Sequence, residues 1–358
     1  MSFEKLLPET AGSATPVESG IVKTDLPVET PLVDRSTLDV KPADKADPLE
    51  ATVVEPRKRK RPTILAEVVP GKTSFWNRFP KGINWPVSLW MFGMHIAACF
   101  APFYFSWAGV VTLLVLHFVT ACLGITLGYH RLLTHGSLIV PAPLKYFFSI
   151  CGMLSAEGSP LQWVAIHRKH HVFSDKDEDP HSPRHGFWWS HMFWFFPEET
   201  EADRIALYER WAPDMYRDPV QRFFNSTFIM YPLILGAGLY LLGEYALGGV
   251  GISMVLWGLC LRMVLAYHST WFVNSATHMW GYRNYKTTDD SRNSWWVALL
   301  SYGEGWHNNH HAHQRLAVHG HRWWEIDVTY NVIRLLKVLG LAKKVQDRIP
   351  AKGSAADE

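Results

Sequence analysis

Nine histidines fall into three tight clusters and one outlier, each just beyond a long apolar stretch. His130 and His135 flank Arg-Leu-Leu-Thr. His167, His170 and His171 form one H-x2-H-H cluster, and His307, His310 and His311 form another. The outlier, His278, closes the run Asn274-Ser-Ala-Thr-His278. Neutral imidazole is the commonest metal ligand and suits iron, zinc, copper and nickel. On a helix, positions i, i+3 and i+4 share a face, so each H-x2-H-H cluster presents its rings together. His130 and His135 are five apart, so α-helical geometry turns them more than a quarter turn from one another. That suits two ligands embracing a metal pair, or a helix that unwinds at its end. Burying so many imidazoles without a common partner would leave many polar groups unpaired, and the set therefore points to metal coordination. Nine nitrogens exceed what one ion takes, whereas two ions would share them four or five each and leave room for water or oxygen. No carboxylate lies within the clusters, unlike the Glu-x-x-His di-iron bundles. An all-imidazole pair of irons fits best, although ligand type alone also admits copper or zinc.

Long apolar helices must position these clusters. Four stretches, at about 85–105, 107–127, 223–242 and 249–273, reach the roughly 20 residues that cross a bilayer. Trp85, Trp107 and Trp271 near their ends resemble an aromatic belt. The connections after the first and third stretches carry no Lys or Arg, whereas the N-terminal tail, the middle loop and the C-terminal region carry many. The positive-inside rule then places both termini and the middle loop in the cytosol. The first two clusters follow the second crossing, and His278 and the last cluster follow the fourth. Two crossings separate the groups, so all nine histidines return to one membrane face. The expected fold is all-α: an integral membrane protein with four transmembrane helices and a cytosolic helical cap that carries the histidine-rich site.

The chain has 358 residues, of which 48% are apolar and 17 are tryptophan, which suits membrane interfaces and apolar pockets. A net charge of +2 gives no reason to expect nucleic acid. Cys99, Cys122, Cys151 and Cys260 lie in apolar runs without a C-x-x-C pair, which argues against disulfides and thiolate metal sites. Residues 1–62 lack periodicity and are expected to be a disordered tail ending in the basic tract Arg57–Arg61, a topology signal that also meets anionic headgroups. No leader pattern is expected at the N-terminus. The catalytic domain is expected over 63–345, with a disordered tail at 346–358. A piece at 144–154 is too short to span and reads as interfacial or re-entrant. The segment 198–222 reads as a cytosolic helix, and 323–341 as a soluble or membrane-surface helix. His95, His117 and His268 lie inside crossings and are expected to satisfy local polar contacts. His181, His185, His191, His313, His319 and His321 flank the clusters as outer or surface residues. Asp175, Asp177, Glu178, Asp179 and Glu304 are candidates to orient ligating rings.

The pattern H-x4-H, H-x2-H-H, N-x3-H, H-x2-H-H on such a chain resembles the membrane fatty-acyl desaturases, in their Δ9 (stearoyl-type) branch. The matching stretches are Gly128–His135, Trp163–Ser182, Asn274–His278 and Gly303–His311. The resemblance implies two non-haem irons held by His130, His135, His167, His170, His171, His278, His307, His310 and His311, with Asn274 acting through a water. It implies an O2-dependent removal of hydrogen from carbons 9 and 10 of a saturated chain, giving a cis double bond and water. It also implies a tunnel that aligns one methylene pair with the metals, and Trp163, one turn before His167, is a candidate wall.

Animal members that use CoA carry an Arg-Asp pair just before the second cluster, where this chain has Ala165 and Ile166. With the spelling His-Asn-Asn-His-His, this resembles the bacterial, cyanobacterial and plant branch, so acyl-lipid is a possible substrate beside acyl-CoA. No phosphate-cradling glycine turn and no His-Pro-Gly-Gly haem motif is present. Electrons are therefore expected from a separate ferredoxin or cytochrome b5-like donor with its reductase, for which a basic cytosolic face is suited. A hydroxylase or ketolase with the same clusters is the competing enzyme. A metal transporter, which would place ligands at mid-membrane, is the competing class.

Overall fold

The computed structural model describes residues 75–349. The expected N-terminal tail with its basic tract, and residues 350–358 of the expected C-terminal tail, lie outside the described residues. Among the described residues the structure is helical, with isolated backbone bridges but no strand.

Polar caps start the apolar helices. Asn84 accepts from the Val87 amide at the head of α1 (Trp85–Ala98), and Ser106 accepts from the Gly109 amide at the head of α2 (Trp107–Thr134). The first eleven residues of α2 are α-helical, and Phe118–Thr134 continue as a wide π-helix with i→i+5 bonds. The next helix, α3 (Ala142–Met153), lies against the second half of α2. A Cβ at Gly124 would run into the backbone of Cys151 and Gly152, so only glycine permits this approach. Ser159 caps α4 (Pro160–Phe173), which carries the second histidine cluster.

The short α5 (Phe187–His191) is followed by α6 (Glu201–Trp211), α7 (Pro213–Arg217) and α8 (Pro219–Thr227). These three replace the single helix expected over 198–222, because Pro213 and Pro219 have no amide proton to continue one. α9 (Met230–Leu241) extends to Ala246. α10 (Gly251–Met279) is one continuous helix of 29 residues. α11 (Trp295–Leu300), α12 (His307–Ala312) and α13 (Val328–Val338) complete the fold.

Two helices, α2 and α10, are long and apolar enough to cross a membrane. α8 and α9 make a third span only if counted together across a bend of 60°. The expected first crossing is a 14-residue helix followed by one 3-10 turn at Ala101–Tyr104, short for a span by itself.

α2 and α10 run the same way. Ser106 and Ser253 meet at 2.7 Å near their starts, and both helices end at the histidine clusters. The Arg262 guanidinium ties α10 to the end of α3 by donating to the Leu154 carbonyl at 2.9 Å. At the C-terminus the Gln346 amide donates to the Ser137 carbonyl, and its carbonyl accepts from the Ala317 amide. The packed body thus runs past the expected boundary at 345.

Candidate metal centre

The nine histidines assemble into two groups. Ring nitrogens of His130, His135, His167, His171 and His310 all lie within 4.8 Å of one another, and so do those of His170, His278, His307 and His311. The i, i+3, i+4 clusters are split: His167 and His171 join the group of five while His170 joins the group of four, and in the last cluster His310 parts from His307 and His311.

His130 and His135 do not diverge. Their ring centroids are 4.8 Å apart, because the π-helix brings residues five apart onto one side, as the His135 amide bonding back to the His130 carbonyl shows.

The groups fit a metal. Nε2 of His310 lies 3.1 Å from Nε2 of His130 and 3.0 Å from Nε2 of His171, which itself lies 3.0 Å from Nε2 of His167. A ring nitrogen has either one proton or one lone pair, so it cannot satisfy two such neighbours. In the second group Nε2 of His278 and His307 face each other at 3.1 Å. Nε2 of His135 and of His311 are buried with no hydrogen-bond partner. A cation at each centre would satisfy all of these lone pairs.

Carboxylates fix which nitrogen points inward. Nδ1 of His170 donates to Asp179 at 3.0 Å, Nδ1 of His278 to Asp175 at 3.1 Å, and Nδ1 of His311 to Asp289 at 2.6 Å. In the group of five, Nδ1 of His130 lies 2.8 Å from a Glu304 carboxylate oxygen. Each bond leaves an Nε2 lone pair for the centre.

Burial and the neighbouring rings hold His135, His167, His171, His307 and His310 well below the usual imidazole range, so they are neutral and able to ligate. Burial likewise lowers His311 to about 4, with Asp289 opposing. His170 moves the other way, because Asp179 outweighs its burial. Asp175, Asp179 and Glu304 remain ionised despite burial through these rings and, for Glu304, through Arg131 as well.

Of the candidate orienting acids, Asp175, Asp179 and Glu304 take that role, while Asp177 and Glu178 are exposed and stand apart. Asp289 escaped the sequence reading because it lies in a polar loop far from any cluster. Asn308 and Asn309 escaped it too. The Asn293 side chain accepts from both their amides and caps α12. Asn309 bonds Asn284, Asn293, Glu325 and the His319 carbonyl. His319 backs the first group by meeting Glu304 at 3.0 Å.

A narrow cleft between α2 and α10 opens onto the centre. Ala121, Ile125, Thr126, Ser269, Thr270 and Val273 line its length, and His130, His167, His307 and Asn274 close it. Trp163 forms part of the wall and stacks on His167 with centroids 4.8 Å apart. Behind it, Glu157 accepts from Thr270 at 3.1 Å and from Trp163. Burial pushes this carboxyl up to about 8 against those two bonds, so it is protonated at neutral pH. His117 satisfies a local contact, to the Tyr302 hydroxyl at 2.7 Å, as expected for a ring inside a crossing.

Residues 104–334 match the model of the fatty acid desaturase family. An sn-1 stearoyl-lipid 9-desaturase of Anabaena variabilis is 48% identical over 74% of this chain and 94% of its own. A chloroplastic palmitoyl-monogalactosyldiacylglycerol delta-7 desaturase of Arabidopsis thaliana is 42% identical over 77% of this chain and 72% of its own. An icosanoyl-CoA 5-desaturase of Limnanthes douglasii is 40% identical over 87% of this chain and 86% of its own.

Proposed function

The chain belongs to the fatty acid desaturase family, and from that premise we propose that it converts a saturated acyl chain to its cis-9 monoene, with acyl-lipid or acyl-CoA as the carrier. The balance is R–CH2–CH2–R′ + O2 + 2 electrons + 2 protons giving R–CH=CH–R′ + 2 H2O. The observation that carries the reading is the pair of all-histidine groups at the end of an apolar cleft.

His130, His135, His167, His171 and His310 would hold one iron, and His170, His278, His307 and His311 the other. Asn274 would act through a water. When bound, such a pair supplies the oxygen activation that unactivated C–H bonds require.

The protein's own residues do the rest. The cleft takes up the chain, and each buried methylene contributes roughly 0.8 kcal/mol. Trp163, stacked on His167, fixes one wall beside the metals and limits which methylene pair comes near, an orientation effect. Asp175, Asp179, Asp289 and Glu304 hold four of the rings in one tautomer.

The proposed topology has four crossings: α1 with its 3-10 extension, α2, the bent pair α8–α9, and α10. Both termini and the histidine cap would lie in the cytosol. α10 is about 43 Å long at ~1.5 Å per residue, against a core of ~30 Å. Its last turns, with Asn274 and His278, would therefore stand clear of the lipid. The body expected at 63–345, together with Gln346 bonded to Ser137 and Ala317, would carry the activity. The electrons would come from a separate ferredoxin or cytochrome b5-like protein with its reductase.

Expression in a desaturase-deficient host with a working donor, followed by fatty-acid profiling, tests the proposal. Appearance of 9-cis monoenes supports it; a hydroxy acid, or an unchanged profile despite folded protein, counts against it.

A further inference from the structure

The short helix α11 turns its apolar side outward. Trp295, Leu299 and Leu300 are 65%, 73% and 44% exposed, whereas Val297, Ala298 and the following Ser301 are buried. Ser301 and Glu304 line the cleft. One face of this segment therefore borders the cleft, and the other borders whatever surrounds the protein.

The segment lies across the groove between α2 and α10. On the α10 side the Trp296 ring packs edge-on against Phe272, with centroids 5.0 Å apart. On the α2 side the Tyr302 hydroxyl lies 2.7 Å from Nδ1 of His117, and the Tyr302 ring packs edge-on against Phe118. Those contacts fix its depth. In the proposed topology Trp107 and Gly251 begin their crossings at the outer edge of a ~30 Å core. At ~1.5 Å per residue, His117 is about 15 Å inward from that edge and Phe272 about 32 Å. α11 thus sits at the depth of the inner leaflet, where its exposed tryptophan and leucines meet lipid.

The two edges are held differently. The Ser294 amide donates to the Gly305 carbonyl at 2.8 Å, and Asn293 bridges Trp306, so the loop 294–305 is closed at its base. A Cβ on Gly305 would strike the Ala298 amide nitrogen, so the two limbs of the loop are packed together and move as one body. Tyr302 anchors that body. Besides the His117 contact, its carbonyl accepts from the Thr329 amide and hydroxyl, both at 3.0 Å. Its backbone is left-handed, with φ 56°, a conformation that a tyrosine holds under such restraint. Toward α10 the loop is sealed by the Trp296–Phe272 contact, and among the described residues no hydrogen bond joins 294–305 to that helix.

We propose that α11 is a lateral door to the cleft. It swings away from α10 about Tyr302, and an acyl chain lodged in the inner leaflet passes beneath Trp296 to reach Ser269, Thr270 and Val273. The identity of the chain rests on the desaturase reading. The door makes the substrate one that arrives from the bilayer, and no bond is made or broken in its passage.

The test uses full-length protein in lipid nanodiscs, in a Cys99→Ser background because Cys99 is the exposed cysteine. A nitroxide on Leu299→Cys should be relaxed more by oxygen than by a water-soluble nickel chelate. A stearoyl phospholipid with a mid-chain diazirine reports uptake, as photo-adducts on Ile125 and Thr270 counted by mass spectrometry. In Phe272→Cys/Trp296→Cys, a bis-methanethiosulfonate tether across the seal should cut both the adducts and stearoyl turnover about tenfold or more, and reductant should restore both. Trp296→Ala lacks the seal and should take up the probe about threefold faster or more. Nickel access above oxygen access at residue 299 would overturn the door. So would adducts within about twofold of the untethered protein, a loss that survives release of the tether, or an unchanged uptake rate in Trp296→Ala. Wild type that takes up the probe but makes no monoene with a working donor overturns the desaturase reading instead.

Discussion

Replacing Asp289 by Asn should loosen one metal and spare the other. The Asp289 carboxylate takes the Nδ1 proton of His311 at 2.6 Å, and the Thr287 hydroxyl and Ser291 amide hold it in place. Asparagine keeps the shape but removes the charge that makes the imidazole a stronger ligand. Loss of such an outer partner typically weakens metal binding 10- to 100-fold, or about 1.4–2.7 kcal/mol. The group of four has three such carboxylates, from Asp175, Asp179 and Asp289, around four rings. The group of five has Glu304 alone, and Arg131 shares that charge. In wild type the group of four should therefore hold its metal more firmly, and a chelator should strip the group of five first. In Asp289→Asn the release of the second metal should speed up by the stated factor, while the first is unaffected. Chelator-release kinetics on purified protein, with metal counted by mass spectrometry, would follow both phases. Asp177→Asn is the control, because Asp177 is exposed and bonds no ligating ring. If Asp289→Asn releases both metals as wild type does, the carboxylate has no part in holding the ring and the reasoning fails.

His170→Ala or His310→Ala should abolish desaturation while the protein stays in the membrane fraction, and fatty-acid profiling with immunoblotting checks both. Burial raises the Glu157 carboxyl to about 8, so the folded state binds a proton that the unfolded state releases above its ordinary range near 4.5. The associated stability is fully present below that range, is lost as pH rises toward 8, and amounts to at most a few kcal/mol at about 1.4 per unit. Melting temperatures in detergent should therefore fall between pH 5 and 8 by less in Glu157→Gln than in wild type; equal slopes would exclude Glu157 as the source. Asn309→Ala should cost about 2 kcal/mol or more by stranding the Asn293 side-chain amide and the His319 carbonyl, with lower iron occupancy at purification as the readout. Trp163→Ala should open the cleft wall and spread the double-bond position, seen by gas chromatography of derivatised monoenes.

Residue type and membrane parity made the histidine set legible. Two helices that start together and run in parallel must bring their following loops to one end, and α2 and α10 do this. The partition into five and four was not legible. His167 and His171 are one turn apart on a helix face and His170 lies between them, so spacing makes the three equivalent. They separate only because α12 arrives with His310 on one side and His307 and His311 on the other. The bend within 223–242 escaped an apolar count for another reason. The apolar run is continuous, but the helix bends by 60° between Thr227 and Met230, just before Pro232, whose missing amide cannot bond the Phe228 carbonyl.

The sharpest discrepancy is at His130 and His135, and it has a cause. An α-helix through these residues would part the rings, and the H-x4-H spacing would then serve two different ions. The wide helix at Phe118–Thr134 brings both rings into one group instead. π-helices are rare, appear mostly as single turns, and are frequent at functional sites, so one this long needs compensation. Part of it is visible. The Thr134 hydroxyl donates to the Tyr129 carbonyl five residues back, the Thr126 hydroxyl donates to the Cys122 carbonyl, and the glycines at 124 and 128 let α3 press against the widened coil. The remainder would come from the metal, which rewards the only geometry that lets His130 and His135 reach one centre. Metal-free protein should therefore exchange the amides of 126–135 faster than loaded protein, while those of 107–117 are unchanged. Equal protection of both stretches in the two forms would mean that packing alone sustains the wide helix.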